Sequence, residues 1–262
     1  MTQSIPIGVQ LYSVRHDLEK DLRGTLQAVA EMGYAGVEFF GFPKHPAGEL
    51  RALLKEFGLA CCGWHTPFEL VQDDQLEETI AFHKELGNKY LIIPGIPDEL
   101  RRSRADWLKL AEFFNGLSDK LAPHGMVTGY HNHSVEFVAL DGEKPWDTFF
   151  QNTKQPIVMQ FDLGNAMVGG ADVLSVLQKY PGRATTIHLK PYSREAGKDN
   201  PHDGYRPLIG DDDVPWQEVF ELCEAGGTEW YIIEYESDAF PPLEAVKRCL
   251  DGLKRVQASA QV

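Results

Sequence analysis

The chain has 262 residues, of which 43% are hydrophobic, and a formal net charge of −14 at pH 7. This length and hydrophobic content are enough for a sizeable core, and we predict one domain over residues 1–262. The acidic excess argues against a nucleic acid as partner, because binding to polyphosphates depends on clustered lysine and arginine. No apolar run approaches the roughly 18 residues of a membrane span, so we expect no membrane association.

The sequence also bears on location and redox state. Residues 1–6 lack a basic region followed by an apolar stretch, so no secretory signal is indicated. Of four cysteines, Cys61 and Cys62 are adjacent in a predicted strand, where neighbouring side chains point to opposite faces. We therefore expect free thiols and a cytoplasmic location. The oligomeric state stays open, and a homo-oligomer is one of the candidates.

Along the chain, six segments with helical spacing end near a glycine and are followed by a short apolar run. A glycine after a helix adopts the left-handed conformation without a Cβ clash, so it ends the helix and turns the chain. This alternation of helices and strands is typical of a parallel sheet built from βα units. The six glycines are Gly33, Gly58, Gly87, Gly125, Gly182 and Gly226.

Apolar runs at 6–11 and 156–161 bring the number of predicted strands to eight. Eight βα units match the usual size of a (β/α)8 TIM barrel, about 250 residues, and we predict this α/β fold. An open doubly wound sheet is the alternative, but residues 10–15 lack the glycine-rich phosphate motif expected after its first strand. The predicted helices are 17–32, 46–57, 75–86, 104–122, 145–153, 173–180, 216–225 and 241–256.

Almost every predicted strand ends in a polar residue of a type that catalyses reactions or binds metals. In a barrel these ends converge on one face, so residues distant in sequence form a single pocket. The candidates at the strand ends are Gln10, Glu38, His65, His131, His133, Asp162, His188, Lys190 and Glu234.

Three of these candidates, Asp162, His188 and Glu234, follow directly on strongly β-prone runs. Carboxylates combined with imidazole suit Mn, Co or Zn, with Mg as a further candidate, because neutral imidazole favours the transition metals. Glu234 follows two isoleucines and would be costly to bury without a cationic partner. We therefore predict one divalent metal ion at the strand ends.

The pattern resembles the sugar phosphate isomerase/epimerase superfamily of xylose-isomerase-like TIM barrels, which also contains inosose dehydratases and an endonuclease branch. The resemblance implies four metal ligands from strands 5 to 8, and three of them fall on Asp162, His188 and Glu234. In the well-known isomerases and epimerases strand 5 supplies a glutamate. Here His131 takes that place, with His133 and Glu136 as alternatives. The matching segments are 8–15, 130–137, 161–165, 188–190, 209–216 and 233–234.

For function, the resemblance implies two acid–base groups on opposite faces of a substrate carbon, with a metal holding the neighbouring carbonyl. We predict a metal-dependent sugar isomerase or epimerase of carbohydrate metabolism that abstracts a proton next to a metal-bound carbonyl. Its expected catalytic residues are Glu234, His133 and Lys190, although Lys190 could instead only pair with Glu234. Because a histidine replaces one carboxylate, the alternative is a lyase or dehydratase acting on keto-sugars, 3-keto-glycosides or inosose-like rings. A nucleic-acid hydrolase would need more metal ligands and a basic face.

Further residues are candidates for binding the sugar substrate. Trp64 and His65 resemble a sugar-binding pair, although Trp64 could equally belong to the core. Glu38 precedes an aromatic loop at residues 39–43 that could line the pocket, and Gln10 ends the first strand. Arg206 lies in the longest connection, residues 191–213, where it could meet a phosphate, although a free sugar fits as well. The remaining histidines, which we expect at the surface, are His45, His83, His124 and His202.

Overall fold

The computed structural model describes residues 4–259 and contains the predicted barrel. Each strand pairs in parallel with the next along the chain, and the eighth pairs with the first, so the sheet closes in the order β1 to β8. The open-sheet alternative is therefore excluded. The strands are β1 Ile7–Gln10, β2 Gly36–Phe40, β3 Ala60–His65, β4 Tyr90–Ile93, β5 Val127–His131, β6 Val158–Asp162, β7 Thr186–Leu189 and β8 Trp230–Ile233.

Helices surround the barrel, and over residues 4–259 none is long and apolar enough to span a membrane. Most begin and end within three residues of the predicted bounds. The α-helices are α1 Arg15–Lys20, α2 Leu22–Met32, α3 Ala47–Phe57, α4 Leu76–Leu86, α5 Arg104–Leu121, α6 Pro145–Gln151, α7 Leu163–Val168, α8 Val173–Lys179, α9 Trp216–Gly226 and α10 Pro242–Ser259.

The structure differs from the predicted helices and helix ends in three details. The segment 17–32 forms two helices, because Asp21 leaves the helical region with φ −154° and its side chain caps α2 at the Gly24 amide. The short helix α7, directly after Asp162, was not predicted. The left-handed residue that ends α9 is Gly227, with φ +74°, whereas Gly226 is still helical.

The interior of the barrel below its mouth is polar, although barrel interiors are usually filled by branched apolar side chains. Gln10, Glu38, Gln160, Thr186 and His188 are all fully buried there. A buried polar group is tolerated only when its hydrogen bonds are satisfied, so these side chains must be partners of one another.

A glycine makes room for the carboxylate at the centre of this layer. The pairing of β2 with β3 is irregular between Val37 and Glu38, which brings Gly63 beside Glu38. A Cβ atom at Gly63 would lie 2.4 Å from Glu38 Oε1, closer than any real contact. Gly63 is thus the residue that lets Glu38 extend into the barrel interior.

The opposite face of β3 packs against the helices. Trp64 stacks on Phe39 with ring centroids 4.9 Å apart and meets Phe82 and His83 of α4 edge-on. The prediction that His83 lies at the surface was wrong, because it is buried against Trp64 and accepts a hydrogen bond from Asn88 Nδ2 at 3.1 Å.

A buried arginine fixes the connection between α6 and β6. Arg183 is 5% exposed, and its guanidinium donates to the carbonyls of Phe150, Lys154 and Ile157 at 2.7–3.0 Å and to Thr153 Oγ1 at 2.8 Å. One side chain therefore donates to four acceptors of this connection, and its bonds to the Phe150 and Ile157 carbonyls are buried.

Replacing Arg183 with methionine should lower the free energy of unfolding by about 3 kcal/mol, because each buried carbonyl left without a donor costs roughly 1–3 kcal/mol. Urea unfolding followed by circular dichroism measures this change. The matched control is Arg248→Met, which removes an exposed pair with Glu244 and should change stability by less than about 1 kcal/mol. Equal losses in both variants would contradict the role given to Arg183.

Candidate active site

Four side chains from consecutive strands meet at the mouth of the barrel. His131 of β5, Asp162 of β6, His188 of β7 and Glu234, directly after β8, are all buried, and each offers one ligand atom within 4.8 Å of the others. The cluster consists of the four residues that the sequence analysis predicts as metal ligands. Donor atoms bound to one ion at about 2.0–2.3 Å lie at most about 4.6 Å apart, so the cluster has the size of a mononuclear site.

An unsatisfied oxygen supports this interpretation. Asp162 Oδ2 is buried and has no hydrogen-bond partner, while Asp162 Oδ1 accepts from the Asn165 amide at 2.7 Å. Oδ2 lies 3.9 Å from His188 Nδ1 and 4.0 Å from His131 Nε2, too far for hydrogen bonds. Burial raises the pKa of Asp162 to about 6. A cation among these atoms would compensate for the free-energy cost of burying this oxygen without a hydrogen-bond partner.

The imidazole of His188 is held between two carboxylates. Its Nε2 lies 2.6 Å from Glu38 Oε2, and its Nδ1 lies 2.6 Å from Glu234 Oε2. Burial opposes the imidazolium, but Glu38 and Glu234 outweigh it and raise the pKa of His188 to about 10. Because Nε2 donates to Glu38, Nδ1 is the nitrogen that can lose its proton and bind a metal, as in the carboxylate–histidine pairs of known metal sites.

Glu38 lies beneath this cluster and is not at the mouth. Gln10 Nε2 donates to Glu38 Oε2 at 2.8 Å, and Gln160 Nε2 donates to Glu38 Oε1 at 2.7 Å. Burial opposes its charge, but His65 and His188 hold the pKa of Glu38 below its usual value. With both oxygens engaged and no exposed surface, Glu38 contacts His188, whereas the sequence analysis expected it to contact a substrate.

Lys190 places a second positive charge beside the cluster, in addition to that of His188. Its ammonium donates to Glu234 Oε1 at 3.1 Å and to Glu236, and lies 4.0 Å from Asp162 Oδ2. Burial disfavours this charge, but Glu234, Asp162 and Glu236 together raise the pKa of Lys190 well above its usual value. In turn Lys190 and His188 outweigh the burial of Glu234 and keep the pKa of its carboxyl well below the usual range. The structure thus contains the Lys190–Glu234 ion pair that the sequence left open.

Two further imidazoles, those of His65 and His131, lie beside His188. His65 stacks nearly parallel to His188 at 5.1 Å, and its Nε2 donates to Gln160 Oε1 at 2.7 Å. His131 lies 4.6 Å from each of these two rings. Burial, followed by the charge of His188, keeps the pKa of His131 well below its usual value, so its imidazole is neutral and able to bind a metal.

A cavity of about 270 Å³ opens above the cluster. Gln10, His65, His131 and Glu234 form its floor, and the exposed His133 lies on its wall. The cavity thus combines the candidate ligands with exposed polar groups that a substrate could reach. Its remaining lining residues are Tyr12, Phe40, Gly41, Pro67, Pro94 and Glu236.

Of the alternative ligands at β5, Glu136 is engaged elsewhere. Its carboxylate accepts from the Tyr130 hydroxyl at 2.7 Å and from the His133 amide at 2.8 Å, and it is not a member of the cluster. These bonds fold the chain after β5 so that His133 faces the cavity.

Two residues predicted to bind substrate lie away from this cavity. Trp64 points out of the barrel toward α4, because successive side chains of a strand alternate between its faces and His65 points inward. The Arg206 side chain is 55% exposed and pairs with Asp203, and Arg206 does not line the cavity.

Two residues of the site were not predicted from the sequence. Gln160 bridges Glu38 and His65, and Glu236 contacts Lys190 at the rim. Each lies two residues from a candidate ligand, Asp162 or Glu234, and therefore on the same side of the chain. A polar residue at i ± 2 from each ligand is the sequence signal that could have identified both.

Asp162→Asn and Glu234→Gln should each remove most of the bound metal, because each takes one anionic ligand from the cluster. Elemental analysis after dialysis against Mn²⁺ measures the loss, with circular dichroism to show that the fold persists. Asp172→Asn is the matched control, since its side chain only caps α8 and asparagine caps equally well. Unchanged metal content in both cluster variants would rule out this site.

Glu38→Gln should weaken Mn²⁺ binding by about 10- to 100-fold, the usual effect of removing a carboxylate that orients a ligating histidine. Isothermal titration with Mn²⁺ gives the dissociation constants. Glu136→Gln is the matched control, because Glu136 is equally buried but does not touch the cluster. Equal weakening in both variants would contradict the role of Glu38, and weakening only in Glu136→Gln would favour Glu136 as a ligand.

Comparison with known proteins agrees with the fold. An inosose dehydratase of Clostridium perfringens is 29% identical over 246 residues, covering 81% of this chain and 82% of the relative. A sugar phosphate isomerase/epimerase structure from Parabacteroides distasonis superposes with a TM-score of 0.79 at 21% identity, covering 98% and 96% of the two chains. A probable 3-DHS dehydratase from Bacillus anthracis superposes with a TM-score of 0.71 at 14% identity, covering 97% and 99%. The sequence model of the xylose isomerase-like TIM barrel family matches residues 26–256, and the chain belongs to that family.

Proposed function

We propose that the protein is a metal-dependent lyase that removes a proton from the carbon next to the ketone of a polyhydroxylated substrate and expels an oxygen leaving group. The substrate class is a keto-sugar, a 3-keto-glycoside or an inosose-like ring. The observation that carries this proposal is the asymmetry of the cavity, which has a carboxylate at the end of β8 and imidazoles at the end of β5.

Epimerisation removes a proton from one face of a carbon and returns a proton to the opposite face. Two equivalent carboxylates, one on each face, suit this reaction best. The carboxylates near the cluster do not supply this pair. Glu38 is buried beneath it, Glu136 is bonded to Tyr130 and the His133 amide, and Glu236 follows Glu234 on the same side. A pair of unlike groups suits elimination, in which one group takes the proton and the other protonates the departing oxygen.

In the proposed mechanism His131, Asp162, His188 and Glu234 would hold one divalent cation, Mn, Co or Zn rather than Ca. When bound, the metal would polarise the substrate ketone and stabilise the negative charge that develops on it. Glu234 and His133, which line the same cavity, share the acid and base roles. Lys190 positions the Glu234 carboxylate and balances its charge.

The relatives also support a lyase, since the relative from Clostridium perfringens that covers 81% of this chain is named an inosose dehydratase. Epimerisation, which the sequence analysis preferred, is the second candidate. It begins with the same proton removal and differs only in returning a proton to the same carbon.

His133→Asn should lower turnover by about 10²- to 10⁴-fold with the metal still bound, because a positioned acid–base group contributes that much. We would follow keto-sugars, a 3-keto-glycoside and an inosose by ultraviolet absorbance and mass spectrometry in D₂O. Elimination should produce a conjugated enone and a mass loss of water or alcohol. The matched control is His124→Asn, an exposed histidine outside the site.

Three outcomes would count against the proposal. A product that has lost neither water nor alcohol and that carries deuterium next to the carbonyl would establish epimerisation. Turnover without any exchange with solvent would indicate a hydride shift and remove His133 from its role. An unchanged rate in His133→Asn would also remove His133 from its role as acid or base.

A further inference from the structure

A second cavity lies beside the candidate site and has no role in the chemistry described so far. It has a volume of about 240 Å³ and lies outside β2 and β3, between those strands and helices α1 to α3. Its walls are mainly aromatic and aliphatic, with Phe39, Phe42, Trp64, Leu18 and Leu50 among them. Lys44, Glu19 and His45 form its polar rim.

The cavity has a rigid aromatic floor. The rings of Phe39 and Trp64 stack with centroids 4.9 Å apart and an interplanar angle of 22°. The indole Nε1 of Trp64 donates to the carbonyl of Gly41 at 2.8 Å, which ties the loop after β2 to this floor. Gly41 has φ +73°, a conformation that other residues rarely adopt, so the loop depends on glycine at this position.

This loop holds Phe42 at the opening of the cavity with 57% of its surface exposed. An exposed aromatic ring beside an aromatic floor offers a ligand a preformed apolar surface, because little ordering is needed on binding. The part of the chain that the structure describes supplies no side chain that fills the space.

The two cavities share a wall. Phe40 lines both the metal-cluster cavity and the aromatic cavity, and Tyr12 packs edge-on against it at 5.1 Å. A ligand that crosses Phe40 would therefore place a polar ring over His131 and Glu234 and an apolar group against Phe42 and Trp64. A dry cavity of about 150 Å³ accommodates one benzene ring, so this one has room for an aryl group.

We propose that the aromatic cavity binds the aglycone of a glycoside substrate, an aryl or similarly flat apolar group. The inference rests on the proposed function and narrows its substrate to a 3-keto-glycoside whose leaving group is the aglycone alcohol. The base takes the proton on C2, and the C–H electron pair forms the C1–C2 double bond. The C1–O bond breaks, and the aglycone oxygen leaves with its electron pair and is protonated. No oxidant or reductant is required.

Binding can be measured apart from catalysis with glucosides that lack the ketone and so cannot undergo the elimination. Titration calorimetry of the metal-loaded enzyme should show that phenyl β-D-glucoside binds at least about tenfold more tightly than methyl β-D-glucoside, the effect of burying one phenyl ring. Phe42→Ser should reduce this preference by about threefold or more. Val138→Ser, a change at an equally exposed apolar residue of the loop after β5, should leave it unchanged.

The outcomes separate the two proposals. If phenyl glucoside fails to bind, binds no more tightly than methyl glucoside, or loses its preference equally in both variants, the aglycone site is wrong. If the preference and its loss in Phe42→Ser are observed but phenyl 3-keto-glucoside yields no phenol, the cavity binds aryl groups and the proposed elimination fails. Elimination of methyl and phenyl 3-keto-glucosides with equal kcat/KM would support the lyase and reject the aglycone site.

Discussion

The contact between Glu38 and His188 inside the barrel is the interaction on which the rest of the site depends. An ionised carboxylate without exposed surface costs several kcal/mol unless it is paired and hydrogen-bonded. Gln10, Gln160 and His188 provide that compensation. Through His188 the same network reaches Glu234, so a carboxylate without exposed surface helps to fix the geometry at the mouth.

The fold makes this network possible because every member comes from a barrel strand or its immediate end. A metal site requires its ligands to be held within roughly 0.5 Å of the productive geometry, and strands are rigid elements that suit this requirement. Two local features complete the arrangement. Gly63 leaves space for Glu38, and the Glu136 carboxylate binds the chain after β5 so that His133 lines the cavity. The loops after the strands then carry exposed residues at the mouth of the barrel, including the aromatic segment around Phe42.

Much of the fold could be predicted from the sequence because a glycine after a helix and an apolar run after that glycine are local signals. The convergence of His131, Asp162, His188 and Glu234 followed from the fold, since parallel strands in a barrel bring their carboxyl ends together. The break at Asp21 was missed because a single residue with extended backbone does not disturb the apolar periodicity around it.

The roles of Glu38 and Trp64 could not be derived from the sequence for a different reason. Whether a polar residue at a strand end reaches the cavity or lies one layer deeper depends on strand register, and the irregular pairing at Val37 and Glu38 has no sequence signature. Likewise, His65 lies in the site and Trp64 does not because the His65 side of β3 faces the barrel interior. Both facts depend on how neighbouring strands align, which is a tertiary property.

We infer that one divalent cation binds among His131, Asp162, His188 and Glu234. Crystals soaked in Mn²⁺ and measured at the manganese absorption edge would locate this ion. We expect one strong anomalous peak within bonding distance of Asp162 Oδ2, His188 Nδ1, Glu234 and the His131 imidazole, with Glu38 still bonded to His188 Nε2. A peak elsewhere, or none at a manganese concentration that supports turnover, would contradict it.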